Sequence, residues 1–150
     1  MRNIKLISHR CNTKGVNKSE ENHPGRADAV IAEGYDVELD IWISAGELYL
    51  GHDLPQYKVS SEWVLDRADK LWLHCKNLAA LERMSLLSVV EPLNYFWHQN
   101  DDFTLTSKRF VWTYPNRPLI SDSILVHPER VGLWDVEVAG ICSDYIERYR

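Results

Sequence analysis

YDVELDIWISAGELYLGHD, residues 35–53, reads as two strands around a short turn. Side chains alternate across a strand, so Glu38 and Asp40 project to one side and Val37, Leu39 and Ile41 to the other. Ala45-Gly46 turns the chain. The second strand, Glu47 to Leu50, runs into Gly51-His52-Asp53. Two carboxylates on one face, next to a histidine at a strand end, have the makings of a divalent-cation site with an acid/base group beside it. The same alternation also suits a solvated edge strand with no chemistry.

Upstream, Ile4 to Ser8 reads as a buried strand ending in His9-Arg10, and Cys11 to His23 is a polar loop. Pro24 opens a helix and Gly34 follows its end, with Ala27, Val30 and Ile31 as its apolar stripe. Downstream, Leu54 to Ser60 is a loop. Ser60 or Ser61 caps a short helix through about Asp69. Leu71 to Leu73 is a strand ending in His74-Cys75-Lys76. Asn77 caps another helix carrying Leu78, Leu81 and Met84. Tyr95-Phe96-Trp97 ends in His98-Gln99-Asn100-Asp101. Three further strands follow: 110–112, 124–126 (ending in His127-Pro128) and 138–141 (ending in Cys142-Ser143-Asp144). Their spacing is near the minimum for a helical crossover. Ionisable groups thus recur at strand ends, which is where a parallel α/β barrel gathers its catalytic residues.

The totals fit this picture. The 150 residues make one domain, with 45% hydrophobic and 26% charged residues. A net charge of −5 without long runs of one sign speaks against a nucleic-acid partner. Cys11, Cys75 and Cys142 form no CxxC pair, so neither a zinc knuckle nor a disulfide framework is expected. A reducing, cytoplasmic setting follows, with no membrane span and no signal peptide.

Order and spacing of five motifs resemble the glycerophosphodiester phosphodiesterases. These belong to the superfamily that includes phosphatidylinositol-specific phospholipases C and spider sphingomyelinase D toxins. The family closes its first strand with HR, places EN before a helix, sets a Gly ahead of an ExD strand and ends the next strand with HD. Here these are His9-Arg10, Glu21-Asn22, Gly34, Glu38-Leu39-Asp40 and His52-Asp53. The match covers roughly the first third of the chain. Later, His74-Cys75-Lys76 stands for the family's ExK, and Gly140-Ile141-Cys142-Ser143-Asp144 is similar to its Gly-Ile-Thr-Asp. Cys11 stands where the family has Gly.

The resemblance implies a compact (β/α)8 TIM-type barrel with reduced or missing later helices, since such barrels usually take roughly 200 residues or more. A homodimer is one way to cover the outer face left exposed, and Trp134, Val136 and Val138 are candidate covering or core residues. It further implies a metal-dependent phosphodiesterase acting on a glycerophosphodiester or similar small phosphodiester. His9 and His52 would be the acid/base pair, their individual roles open. Arg10 and Lys76 would hold phosphate. Glu38, Asp40 and His74 would hold the metal, Mg²⁺ or Ca²⁺ by family, Mn²⁺ or Zn²⁺ if the imidazole at 74 decides. Glu21 and Asn22 would steady the ligands, unless Asn22 is simply a helix cap. His98, Asn100, Trp112, Tyr114 and Asp144 would line the pocket mouth. Two other readings are open: an inactive or weakly active relative binding a phosphorylated ligand, and a zinc or manganese hydrolase built on the strand-end histidines.

Overall fold

In the computed structural model, which describes residues 3–132 and 136–150, the apolar runs become ten strands. They are β1 (Lys5–His9), β2 (Asp36–Ser44), β3 (Glu47–Leu50), β4 (Tyr57–Val59), β5 (Leu71–Cys75), β6 (Asn94–Trp97), β7 (Phe103–Leu105), β8 (Val111–Thr113), β9 (Ser123–Val126) and β10 (Gly140–Ser143). Three helices accompany them: α1 (Pro24–Ala32), α2 (Ser61–Leu65) and α3 (Leu78–Leu87). β6, β5, β2, β1, β10, β9 and β8 lie side by side as parallel neighbours. β3 and β4 extend the far half of β2 as an antiparallel meander, and β7 folds back antiparallel on β8. The sheet curls: rings from β6 and β8, near opposite ends of the strand order, meet with Phe96 and Trp112 centroids 5.0 Å apart.

This is not the (β/α)8 TIM-type barrel that the resemblance implies. It is a curled, mixed half-barrel with three short helices, all before β6. The reason lies in the later connections. Residues 98–110 spend their length on β7 and its turn, where Arg109 takes a φ of 68°. Residues 114–122 carry Pro115 and Pro118, and residues 127–139 include one 3-10 turn, Pro128–Arg130, among the described residues. The outward side chains there need no helix over them. Thr113, Ser123 and Ser143 are buried yet satisfied locally: Thr113 Oγ1 donates to the Val111 carbonyl (3.0 Å), Ser123 Oγ accepts from Ile120 N (2.9 Å), and Ser143 Oγ donates to Glu129 Oε2 (2.8 Å). Val138 is buried and Val136 half-buried, while Trp134 lies outside the described residues.

Two cores form on the two faces. On the convex side Val37, Leu39 and Ile41 of β2 are fully buried with Ala27 and Val30 of α1 and Ala80 and Met84 of α3. Each large side chain so buried stabilises the fold by about 1.5–3 kcal/mol. On the concave side Ile7, Trp72, Phe96, Trp112, Ile124, Val126 and Cys142 fill the curl. The helices start where their caps allow. Asn77 Oδ1 accepts from Ala80 N (3.0 Å), and the same side chain bonds both backbone groups of Ile43, tying α3 to β2. Ser60 caps α2, which ends at Leu65 rather than near Asp69. Within the expected loop 54–60, Tyr57–Val59 pairs with β3. No described helix is long and apolar enough to cross a membrane.

Candidate active site

The inward positions of the parallel strands end in one cleft of about 610 Å³. Glu38 and Asp40 leave β2 on the concave side and are buried, 3% and 0% exposed, so the solvated-edge alternative for this strand does not hold. Asp40 is the hub. Its Oδ2 accepts from Asn22 Nδ2 (3.0 Å) and lies 3.4 Å from Arg10 Nε and 3.3 Å from His52 Nδ1. Its Oδ1 lies 3.2 Å from His74 Nδ1 and 3.9 Å from Lys76 Nζ. Burial alone would raise the Asp40 pKa; its contacts with His52 and His74 and the charges of His74 and Arg10 override that and hold the carboxyl well below the usual range. Asn22 Oδ1 also accepts from the Asp40 backbone N–H (2.9 Å), so the side chain steadies the carboxylate and does not cap α1. His23 is the cap, its Nδ1 accepting from Gly25 N and Arg26 N.

The tight turn after β1 aims the first motif inward. Arg10, Cys11 and Asn22 have φ of 53°, 74° and 60°. A left-handed backbone costs a non-glycine residue of order 1–3 kcal/mol and concentrates at functional sites. The Gly expected at position 11 would meet that demand without strain; Cys11 meets it while filling the convex core. Arg10 spans Asp40, Glu21 (Nη1 to Oε2, 3.6 Å) and His52 (Nη2 to Nε2, 3.3 Å). An arginine donates only, so His52 Nε2 is the accepting nitrogen and its proton faces Asp40 on Nδ1.

Glu38, Asp40 and His74 place one ligand atom each within 4.8 Å of one another. Their bonding leaves room for a cation. His74 Nε2 donates to the His98 carbonyl (2.8 Å), which puts a proton on that nitrogen; Nδ1 faces Asp40, and in the neutral ring it carries a lone pair open to a cation. Glu38 Oε2 and Asp40 Oδ1 are buried without a hydrogen bond among the described residues. Burial first, and then the charge of Asp40, pushes the Glu38 pKa up. Two buried carboxylates, each with one oxygen left unbonded, and an imidazole nitrogen within reach of both fit a divalent ion, so the donor set accords with the metal the resemblance implies.

On the opposite wall, His9 Nδ1 is bonded to Asp144 Oδ1 (2.7 Å), and its Nε2 lies 3.8 Å from Glu38 Oε2. Burial would lower the His9 pKa, but the Asp144 bond and the charges of Glu38 and Asp144 raise it. Asn12 Nδ2 also donates to Asp144 Oδ1 (2.9 Å), and Asp144 sits near 2 because the His9 bond and charge outweigh its burial. His127 stands edge-on to His9, ring centroids 4.7 Å apart, with Nδ1 3.3 Å from Glu129 Oε1. Burial, then the neighbouring His9 charge, lowers its pKa to about 4. His9, His127 and Asp144 form a second cluster of metal-capable side chains, but the short His9–Asp144 hydrogen bond already engages two of them.

The remaining sequence candidates divide. Glu21 and Lys76 line the cleft. Tyr114 stacks on His98 (4.7 Å) and donates to its Nδ1 (3.3 Å), while His98 Nε2 donates to the Asp101 carbonyl. Burial pushes the Tyr114 hydroxyl up to about 12, so it stays a donor. Trp112 is 3% exposed and forms the floor. Asn100 is exposed and away from the lining; Gln99 borders the cleft instead. Asn12, Trp97 and His127 are site residues that motif reading passed over. His127 carried a usable signal, its place at the end of the 124–126 strand. Asn12, in a polar loop, carried none. No family model, curated protein or solved structure matches the chain.

Proposed function

We propose that the protein is a metal-dependent phosphodiesterase that cleaves a glycerophosphodiester or a similar small phosphodiester. The observation that carries the reading is the convergence of Glu38, Asp40 and His74, with Glu38 Oε2 and Asp40 Oδ1 left without a hydrogen bond among the described residues, at a cleft lined by His9 and His52. These three residues would hold Mg²⁺ or Ca²⁺, with Mn²⁺ or Zn²⁺ favoured to the extent that His74 ligates. The ion would neutralise phosphate charge as it builds up in the transition state. Arg10 and Lys76, both at the cleft, supply further positive charge for the phosphate oxygens. His9 acts as the base: Asp144 holds its Nδ1–H and stabilises the imidazolium, leaving Nε2 to take the proton of the attacking hydroxyl. His52, with Asp40 behind its Nδ1–H, would take a second proton on Nε2 once Arg10 turns from it to the phosphate, and give that proton to the departing alkoxide. Attack by the substrate's own hydroxyl would yield a cyclic phosphate first.

The test is hydrolysis of glycerophosphodiesters and bis(p-nitrophenyl) phosphate with Mg²⁺, Ca²⁺, Mn²⁺ or Zn²⁺, and with EDTA. Turnover should need the ion and fall by about 10²–10⁴ in His9→Ala and His52→Ala. A folded protein inactive with every ion would instead be a relative that binds a phosphorylated ligand.

A further inference from the structure

The cleft continues into a second lobe of about 480 Å³, which shares Arg10, Lys18, Glu21 and His52 with the main cavity. His9 lines the main cavity and not this lobe; His52 borders both. Arg10 and His52 therefore stand at the junction of the two chambers, while His9 and Lys76 face the main one alone. The outer wall of the second lobe is the segment 51–56, and it is built rigidly. Trp42 Nε1 donates to the Gly51 carbonyl (2.6 Å), and Gln56 N donates to the Leu50 carbonyl (3.0 Å). The chain is so tight there that a Cβ on Gly51 would lie 2.1 Å from the Leu54 carbonyl oxygen.

We propose that this second lobe receives the leaving alcohol, and that this alcohol is a small polyhydroxyl group. The proposal rests on the phosphodiesterase reading. As the phosphorus–oxygen bond breaks, its electron pair stays on the alcohol oxygen and the proton comes from His52; the attacking hydroxyl, in the main cavity, loses its proton to His9. The lining selects the chemistry. Lys18 and Gln56 donate, Glu21 and Asp53 accept, and Leu54 is the one apolar side chain among them. Hydroxyl groups do both and can satisfy each. An acyl chain or aromatic ring would strip water from these charged groups and return no hydrogen bond.

Glycerophosphoglycerol and the p-nitrophenyl ester of glycerol phosphate share one arm and differ in the leaving group. The ratio of their kcat/KM values is measured for the wild type, Gln56→Ala and Asp53→Ala. Both variants should cut the preference for glycerophosphoglycerol about tenfold, mainly through KM. An unchanged ratio, or equal loss on both substrates, overturns the proposal. If the wild type cleaves neither compound, the phosphodiesterase reading fails separately. Calorimetric titration with glycerophosphoglycerol then decides the lobe: binding weakened by Gln56→Ala supports it, and binding that is absent or indifferent to the change rejects it.

Discussion

Glu38 is the residue whose cost is most visible. It is buried beside the ionised Asp40, and one of its oxygens has no donor among the described residues. Its raised pKa means that holding the charge at neutral pH opposes folding when no cation is present. Glu38→Gln keeps the shape and removes the charge. The metal-free variant should gain about 1 kcal/mol or more against urea. It should also lose the stabilisation that a saturating divalent ion gives the wild type, about 2.7 kcal/mol at a hundredfold excess over Kd. A variant that is no more stable, yet still responds fully to the ion, would remove Glu38 from the site. The pH dependence of stability belongs to the other wall. Unfolded, His127 takes its proton near 6.5; folded, only near 4. The unfolded chain therefore binds more protons in that window, and stability falls as pH drops from 6.5 to 4. Asp144, at 3.8 unfolded and about 2 folded, extends the loss to lower pH. His9 works in reverse, its contribution fading as pH rises through a folded pKa above 6.5. Urea titrations between pH 8 and 3 should peak between these limbs, and His127→Gln should flatten the 6.5-to-4 part. That His9, Arg10, Asp40 and His52 would meet was legible in the motifs. The role of Asn12 was not, because an Asn in a polar loop reads as loop until Asp144 arrives from the far end of the chain.

At the scale of elements, Gly51 sets the placement of His52. With a φ of 155° and a carbonyl 2.1 Å from where a Cβ would sit, it has no room for a side chain. Gly51→Ala should therefore cost about 2 kcal/mol or more in chemical denaturation and lower kcat. Wild-type stability with unaltered turnover would mean that the segment relaxes freely and does not position the histidine. The elements themselves were mostly readable. Alternation located β2 and β3, and Pro24, the pair Ser60-Ser61 and Asn77 marked the starts of the three helices, with Ser60 proving to be the cap of α2. The misses share a cause. β4 and β7 are three residues each, too short for periodicity to register, and both exist because a neighbouring strand offers them hydrogen bonds. The length of α2 went astray because Trp63, Val64 and Ala68 keep a helical spacing through a segment that turns after Leu65.

For the whole molecule, the expected closed barrel failed while the expected gathering of strand ends held, and one fact explains both. Parallel strands bring their C-terminal ends to one side whether or not helices return between them. The resemblance supplied the count of eight β/α units, but the prolines and short connections after β6 override it. Amide exchange should report the resulting gradient. Val37 of β2, paired on both edges, and Leu39, paired with β5, both buried against α1 and α3, should exchange slowest. Phe103 and Leu105 of β7, exposed at a sheet end, should exchange orders of magnitude faster. Equal protection would contradict the open curl.

The facing ends of that curl hold one more consequence. β6 and β7 meet without a ladder, joined by Thr104 Oγ1 to the Trp97 carbonyl (2.8 Å), Ser107 N to the Tyr95 carbonyl (2.8 Å) and Ser107 Oγ accepting from Tyr95 N (2.9 Å). The stacked His98 and Tyr114 sit directly above this join, one from each side. The two ends of the curl are thus held together along one line, without a ladder, by a handful of bonds and two rings. This join works as a clasp: the ring pair that borders the cleft is also one of the few fastenings between the two ends of the sheet.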